Sequence, residues 1–281
     1  RNGWEAVIIP EMGMNTLGLV VDGEEILRMP DKIGELEKSP CAYGIPLLFP
    51  PNRTESGKFI YNNKKYELPV NETSFNNHIH GVLNRVEFRV LKLSKSEITA
   101  SYQNQGEIFP FPFEIKVTYR LEDRGYVQKF KITNIGDQPM PVVFGLHTTF
   151  IDKKWIRVPI GYKWEQNNCH IPTGKLLQLN LMEREYRKGT SDYGAVSGFF
   201  MAKPYKTDEN TVEIGNMSYS VSDNFNQWIL WNNGGNQGFI SIEPQCGAVN
   251  ALNSGIGRLD LAPNRCEIFR TIIHKRGVFK K

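Results

Sequence analysis

Two neighbouring segments constrain the fold more than any other feature. FEIKVTYRL (Phe113–Leu121) and YVQKFKIT (Tyr126–Thr133) each alternate apolar and polar residues, the period of a half-buried strand. Glu122-Asp123-Arg124-Gly125 lies between them, so the pair reads as an antiparallel hairpin with a four-residue loop. The pattern recurs along the chain. Ala6–Ile9, Leu17–Val21, Phe59–Tyr61, Phe88–Leu93, Ile98–Tyr102 and Phe239–Ile242 are β-rich runs set off by Gly, Pro, Asn and Asp. Many short strands with regular turn signals point to an antiparallel sandwich or barrel rather than βαβ units. Helical signals are confined to Lys32–Glu37 and Leu181–Lys188, a turn or two each. Nothing reads as a linker, a repeat or low complexity. The 281 residues are therefore expected to form one all-β antiparallel domain spanning 1–281, within the size range of single-domain β folds.

Composition narrows the function classes. At 40% hydrophobic and 11% aromatic the chain can bury a large core, yet no run approaches the roughly 18 consecutive apolar residues of a membrane helix. The net charge of +4 is dispersed, and Lys153-Lys154 and Lys280-Lys281 read as solvated surface. Neither a nucleic-acid nor a membrane partner is expected. Arg1-Asn2-Gly3-Trp4 leads straight into Ala6–Ile9, too short for a signal-peptide core. Cys41, Cys169, Cys246 and Cys266 lie far apart, with no CxxC and no zinc spacing, as suits free thiols in a reducing compartment. A cytoplasmic location is the expectation.

Candidate chemistry sits in a few stretches. VVFGLHTTF (Val142–Phe150) reads as a buried strand in which His147 interrupts the apolar run. A histidine there must find partners, because an unpaired buried polar group costs roughly 1–3 kcal/mol; it is either a satisfied core residue or a functional one. FISIEP (Phe239–Pro244) ends an apolar run with Glu243, stopped by Pro244. Desolvation there should raise the carboxyl pKa above about 4.3, as suits a general base. YGIPLLFPPN (Tyr43–Asn52) holds three prolines, a rigid irregular segment that delivers the Arg53 donor fork either to sugar hydroxyls or a carboxylate, or to a structural ion pair. In NHIHG (Asn77–Gly81), His78 and His80 share a face if the backbone is a strand. No third ligand has suggestive spacing, so no metal is expected; His80 before Gly81 reads as a polar cleft residue. In IFPFPFEI (Ile108–Ile115), Phe109, Phe111 and Phe113 alternate onto one face, either as core or as an aromatic wall.

In order, GIPLLFPPNR, NHIHG, FPF, MPVVFGLH and IEPQCGAVNALN resemble the motifs of the aldose 1-epimerase (mutarotase) family from Trp4 through Ile273. The resemblance implies a galactose mutarotase-like antiparallel β-supersandwich with a small-molecule sugar in an open cleft. It also implies cofactor-independent exchange of α and β anomers of a free hexose or related aldose. By motif, Glu243 matches the family's general base, His147 its general acid, and Arg53 and His80 residues that hold the sugar. The reference pKa of about 6.5 leaves an imidazole mostly neutral at pH 7, and a nearby anionic Glu243 is expected to raise that of His147. Three departures are visible. His147 is followed by Thr148-Thr149 instead of proline and an aromatic; no aspartate stands in Val196–Phe200, the nearest being Asp192; and Cys246 replaces a common threonine. These keep two alternatives open. One is a catalytically weak sugar-binding or sensor module on the same fold. The other is an epimerase of a phosphorylated sugar, with Arg53 and Arg85 supplying charge.

Overall fold

The hairpin forms, with a tighter turn than its sequence suggests. In the computed structural model, which describes residues 3–202 and 210–277, Phe113–Glu122 pairs antiparallel with Gly125–Asn134 from Phe113 opposite Asn134 to Glu122 opposite Gly125. Only Asp123 and Arg124 remain in the loop. Gly125, at φ 152°, lies close against the strand on the other side of the hairpin, Cys266–Lys275. A Cβ there would lie 2.3 Å from the Ile273 carbonyl oxygen. Arg1-Asn2 and Lys280-Lys281 fall outside the described residues.

This hairpin is the middle of an eight-stranded sheet. Its order is Ile156–Arg157, Thr211–Ile214, Met217–Val221, Cys266–Lys275, Gly125–Asn134, Phe113–Glu122, Glu97–Asn104, Arg89–Leu93. A second sheet faces it, ordered Pro172–Leu177, Ile160–Gln166, Ser197–Ala202, Gln227–Trp231, Phe239–Cys246, Phe144–Leu146, Leu47–Leu48. Every pair in both ladders is antiparallel. The sheets meet through large apolar side chains: Phe144 packs on Phe130 (5.2 Å between centroids) and on Phe269 (5.0 Å), and Tyr219 on Phe150 (5.6 Å). The first sheet shows the expected alternation, with Phe113, Ile115, Val117 and Tyr119 inward. In the second, all eight residues of Phe239–Cys246 are buried, because both of its faces are covered. One core cluster unites the two sheets, with a smaller one of Trp164, Phe199, Ile229, Ala248 and Val249 beside it. The architecture is thus the antiparallel supersandwich.

Phe109, Phe111 and Phe113 all face the core, where Phe109 meets Phe49 edge to face at 4.9 Å, so they form no wall for a ligand. The helix expected at Leu181–Lys188 has those bounds, opened by a reciprocal capping box between Asn180 and Glu183. The other helical signal forms one residue later, at Ile33–Lys38. Lys153 and Lys154 pair with Glu24 and Asp152, each at 2.6 Å.

Two strand readings need correction. Val142–Phe150 is not one strand but parts of three: Met140–Val142, Phe144–Leu146 and Thr149–Ile151. The Phe239 strand does not stop at Glu243 but runs through Pro244 to Cys246. One physical cause links the two. The Ile242 N–H donates to the Thr148 carbonyl (2.9 Å), so the nitrogen two residues on, that of Pro244, points toward the same neighbour and has no hydrogen to give. The ladder lapses there, the partner strand breaks in two, and a proline inside a central strand is tolerated.

Candidate active site

The same register builds the site. It pairs Gly145 with Gln245 on one side of the gap and Thr149 with Ser241 on the other, which carries His147 opposite Glu243. Directly opposite residues bring their side chains together. His147 Nε2 lies 3.2 Å from Glu243 Oε1. On the next strands Ile229 pairs with Glu243, and Phe199 with Ile229. Phe199, Ile229, Glu243 and His147 therefore form one cross-strand row, and all four line a cavity of about 780 Å³. Residues two positions away share the face. Ser197 and Trp231 form a parallel row that also lines the cavity, and Gln245, on the other side, donates from Nε2 to Glu243 Oε2 (3.2 Å).

Across the cavity stand the loops that carry Arg53 and His80. Arg53–Glu55 pairs with Asn77–Ile79, placing Arg53 beside Ile79. The Arg53 fork is held by Glu72, Nε to Oε2 at 2.8 Å and Nη2 to Oε1 at 2.6 Å, while Nη1 donates to Asn52 Oδ1 at 3.3 Å. Burial pushes Glu72 up, but hydrogen bonds from Arg53 and Asn77 outweigh it and hold the carboxyl below its usual range. Arg53 is thus ion-paired, and the same side chain lines the cavity.

His78 and His80 do not share a face. The strand ends at Ile79, and His80 is left-handed at φ 63°. Gly81 follows at φ 62°, where a Cβ would come within 2.1 Å of the Phe49 carbonyl oxygen, so the chain can turn here only with glycine. This turn sends the His80 ring into the cavity, edge-on to His147 with centroids 5.2 Å apart. His78 turns away, its Nδ1 on the Pro69 carbonyl at 2.7 Å. Burial, and then the charges of His147, Arg53 and His78, keep His80 neutral, well below the usual imidazole range. Among the described residues no group of three His, Cys, Asp or Glu side chains is placed to hold a metal ion.

Glu243 is 2% exposed and His147 6%. Burial raises the Glu243 carboxyl to about 8, against smaller lowering effects of Gln245 and Arg53. Burial lowers His147 to about 4. The expectation for Glu243 therefore holds, while that for His147 is reversed, because desolvation disfavours the charged form of both groups. Desolvation favours the neutral pair, whereas Coulomb attraction across 3.2 Å favours the ion pair, so the two effects oppose each other. A buried carboxyl and imidazole in direct contact are suited to taking a proton from one oxygen and giving one to another.

The departures from the family pattern are local. Thr149 Oγ1 meets His147 Nδ1 (3.4 Å) and Ser241 Oγ (3.0 Å), buttressing the imidazole. Thr148 points into the core, onto the Tyr219 hydroxyl at 3.0 Å. In Val196–Phe200 the cavity receives Ser197 and Phe199, and Asp192 does not line it. Cys246 is buried, its thiol against the Gly257 carbonyl at 3.5 Å. Sequence reasoning missed Asn52, Cys41, Asn84, His170 and Trp231 as lining residues, and Glu72 as the support of Arg53. Only Asn52, the last residue of the proline-rich segment before Arg53, carried a local signal.

A supersandwich with an open cleft over its second sheet has the fold of galactose mutarotase-like structures. A galactose mutarotase-like protein from Clostridium acetobutylicum superposes with a TM-score of 0.87 at 27% identity, covering 97% of this chain and 92% of that one. The GalM/aldose epimerase homologue from C. elegans gives 0.81 at 16% identity, over 98% and 96% of the two chains, a likeness of fold. The chain belongs to the aldose 1-epimerase family, whose model matches residues 1–265. Relatives by sequence include the uncharacterized protein YihR of Escherichia coli K12, 25% identical over 240 residues, covering 79% of this chain and 76% of YihR. The chromosomal LacX protein of Lactococcus lactis is 25% identical over 201 residues, 63% of this chain and 65% of LacX.

Proposed function

We propose that the protein catalyses exchange of the α and β anomers of an aldose, with Glu243 as general base and His147 as general acid. The observation that carries this reading is the buried Glu243–His147 pair, 3.2 Å apart on the cavity floor. The working form is the tautomer with anionic Glu243 and protonated His147, which has the same proton count as the neutral pair. Glu243 takes the proton of the anomeric hydroxyl and His147 gives one to the ring oxygen. The bond from C1 to the ring oxygen breaks as the C1 carbonyl forms. After rotation about the C1–C2 bond, the reverse transfers close the ring on the other face. Proton transfers of this kind contribute about 10²–10⁴-fold each. Arg53, its charge balanced by Glu72, and the neutral His80 hold hydroxyls away from the reacting carbon.

The test is anomer-resolved NMR or polarimetry on a panel of free aldoses, where the expected result is acceleration over buffer for at least one. No acceleration for any aldose overturns the reading. Sugar binding without acceleration favours the sensor alternative. A second reading, an aldose bearing a phosphate, is favoured by Arg85. This arginine lines the same cavity, donates to the Glu37 backbone carbonyl at 3.3 Å and meets no carboxylate among the described residues. Strong competition by inorganic phosphate would support it, and indifference would remove it.

A further inference from the structure

We propose that His170 is a sugar-positioning residue, meeting a substrate hydroxyl remote from the anomeric carbon. It lines the cavity that holds Glu243, His147, His80 and Arg53, but it comes from a different part of the fold. The tip between Ile160–Gln166 and Pro172–Leu177 carries it, and those strands lie three and four places from the Glu243 strand in the sheet order. At about 4.7–4.9 Å per strand the hairpin stands roughly 14–20 Å from the Glu243 strand along the ladder, so its tip reaches the cavity at the end away from Glu243.

The tip is built rather than loose. Asn167 receives the His170 N–H on its carbonyl (3.0 Å) and, on its side-chain oxygen, the N–H groups of Cys169 (2.9 Å) and Ile171 (3.0 Å). His170 itself is left-handed at φ 58°, an unusual conformation for a residue with a Cβ, and one that aims its ring. The tip is also tied to the Arg53 support. Asn77 Nδ2 donates to the Cys169 carbonyl and to Glu72 Oε2, both at 3.0 Å, and the same Glu72 oxygen receives Arg53 Nε. The face of His170 is fixed by Phe75, edge-on with centroids 4.7 Å apart. Neither ring nitrogen has a protein hydrogen-bond partner among the described residues. A half-exposed imidazole held this firmly offers a donor and an acceptor to whatever fills the cleft. The competing role, packing against Phe75 alone, needs no nitrogen and makes no contact with substrate.

The kinetic arm of the test rests on the anomer-exchange reading. His170→Gly deletes the ring without straining the left-handed turn, and His170→Gln restores hydrogen-bonding capacity. One lost hydrogen bond should raise KM about three- to tenfold in His170→Gly, with kcat within about twofold, and His170→Gln should recover most of the loss. An unchanged KM, or a fall in kcat alone, overturns the assignment. The second arm is independent of catalysis: every free aldose of the same panel is titrated into the wild-type protein while the His170 imidazole resonances are followed by NMR. Shifted resonances without anomer exchange support His170 and overturn the proposed reaction. Exchange with unshifted resonances overturns His170 alone. A protein that neither binds nor exchanges these sugars overturns both.

Discussion

Replacing Glu243 with glutamine should slow the reaction while making the protein more stable. In the unfolded chain this carboxyl ionises above its ordinary value of 4.5, whereas in the folded protein burial holds the proton to about 8. Between those values the folded state binds a proton that the unfolded state has released, so stability falls as pH rises. Each unit costs about 1.4 kcal/mol. The deficit is near zero at pH 4, on the order of 3 kcal/mol at pH 7 and about 5 kcal/mol above pH 8. Glutamine ionises in neither state and copies the shape of the protonated acid. Its oxygen still accepts from Gln245 Nε2, now at 3.2 Å from Oε2. The depressed pKa of His147 is common to both proteins and cancels to first order. Scanning calorimetry should therefore find matching melting temperatures near pH 5 and a Glu243→Gln advantage of several degrees at pH 8, at about 2–4 °C per kcal/mol for a chain of somewhat smaller size. Anomer exchange should fall by roughly 10²–10⁴-fold. A variant that melts below wild type at pH 8 would show that the carboxylate is a structural anchor. Unchanged exchange would remove it from the chemistry.

The pH profile of exchange should be flat across neutrality and fall below about 4 and above about 8, where the pair gains a second proton or loses its only one; polarimetry at constant ionic strength checks this, and one titration near 6.5 refutes it. His147→Asn should lower turnover at least about 10²-fold, and an unaltered rate would return His147 to a core role. Glu72→Gln should raise KM about tenfold with little change in kcat, because Arg53 loses the charge on a partner it meets twice, at 2.8 and 2.6 Å. Steady-state kinetics on the two proteins test this, and an equal KM would refute it. His78→Ala should cost about 1–3 kcal/mol of stability and leave KM alone, since its ring is buried on the Pro69 carbonyl. His80→Ala should do the reverse, and equal KM effects would contradict the assignment.

These predictions rest on features of unequal visibility in the sequence. Alternation in Phe113–Leu121 and Tyr126–Thr133 was enough for the antiparallel class, because period-2 burial is local and each strand carries it whole. Histidine in an apolar run and glutamate closing another marked His147 and Glu243, because a polar side chain where burial is expected stands out without coordinates. The signs of their perturbation were legible only for Glu243. Burial acts on a single group, whereas His147 depended on whether desolvation or its neighbour's charge prevails, and that balance is set by a 3.2 Å contact between strands. The same holds for the break at His147, which follows from the missing hydrogen of Pro244 about a hundred residues away.

By itself, the sequence determined the β class, the candidacy of His147 and Glu243, and the loop that delivers Arg53, all of them carried by residue type and short-range spacing, while the acid role of His147 came from the resemblance to the family's motifs. Tertiary structure alone decided that His147 stands opposite Glu243, that His80 turns into the cavity while His78 turns out, and that Glu72 holds Arg53. It also brought His170 to the end of the cavity away from Glu243. The physical reason is register. A pairing shifted by one residue would send every side chain of a strand to the other face, and no stretch of a single strand records which residue of a distant one it will meet.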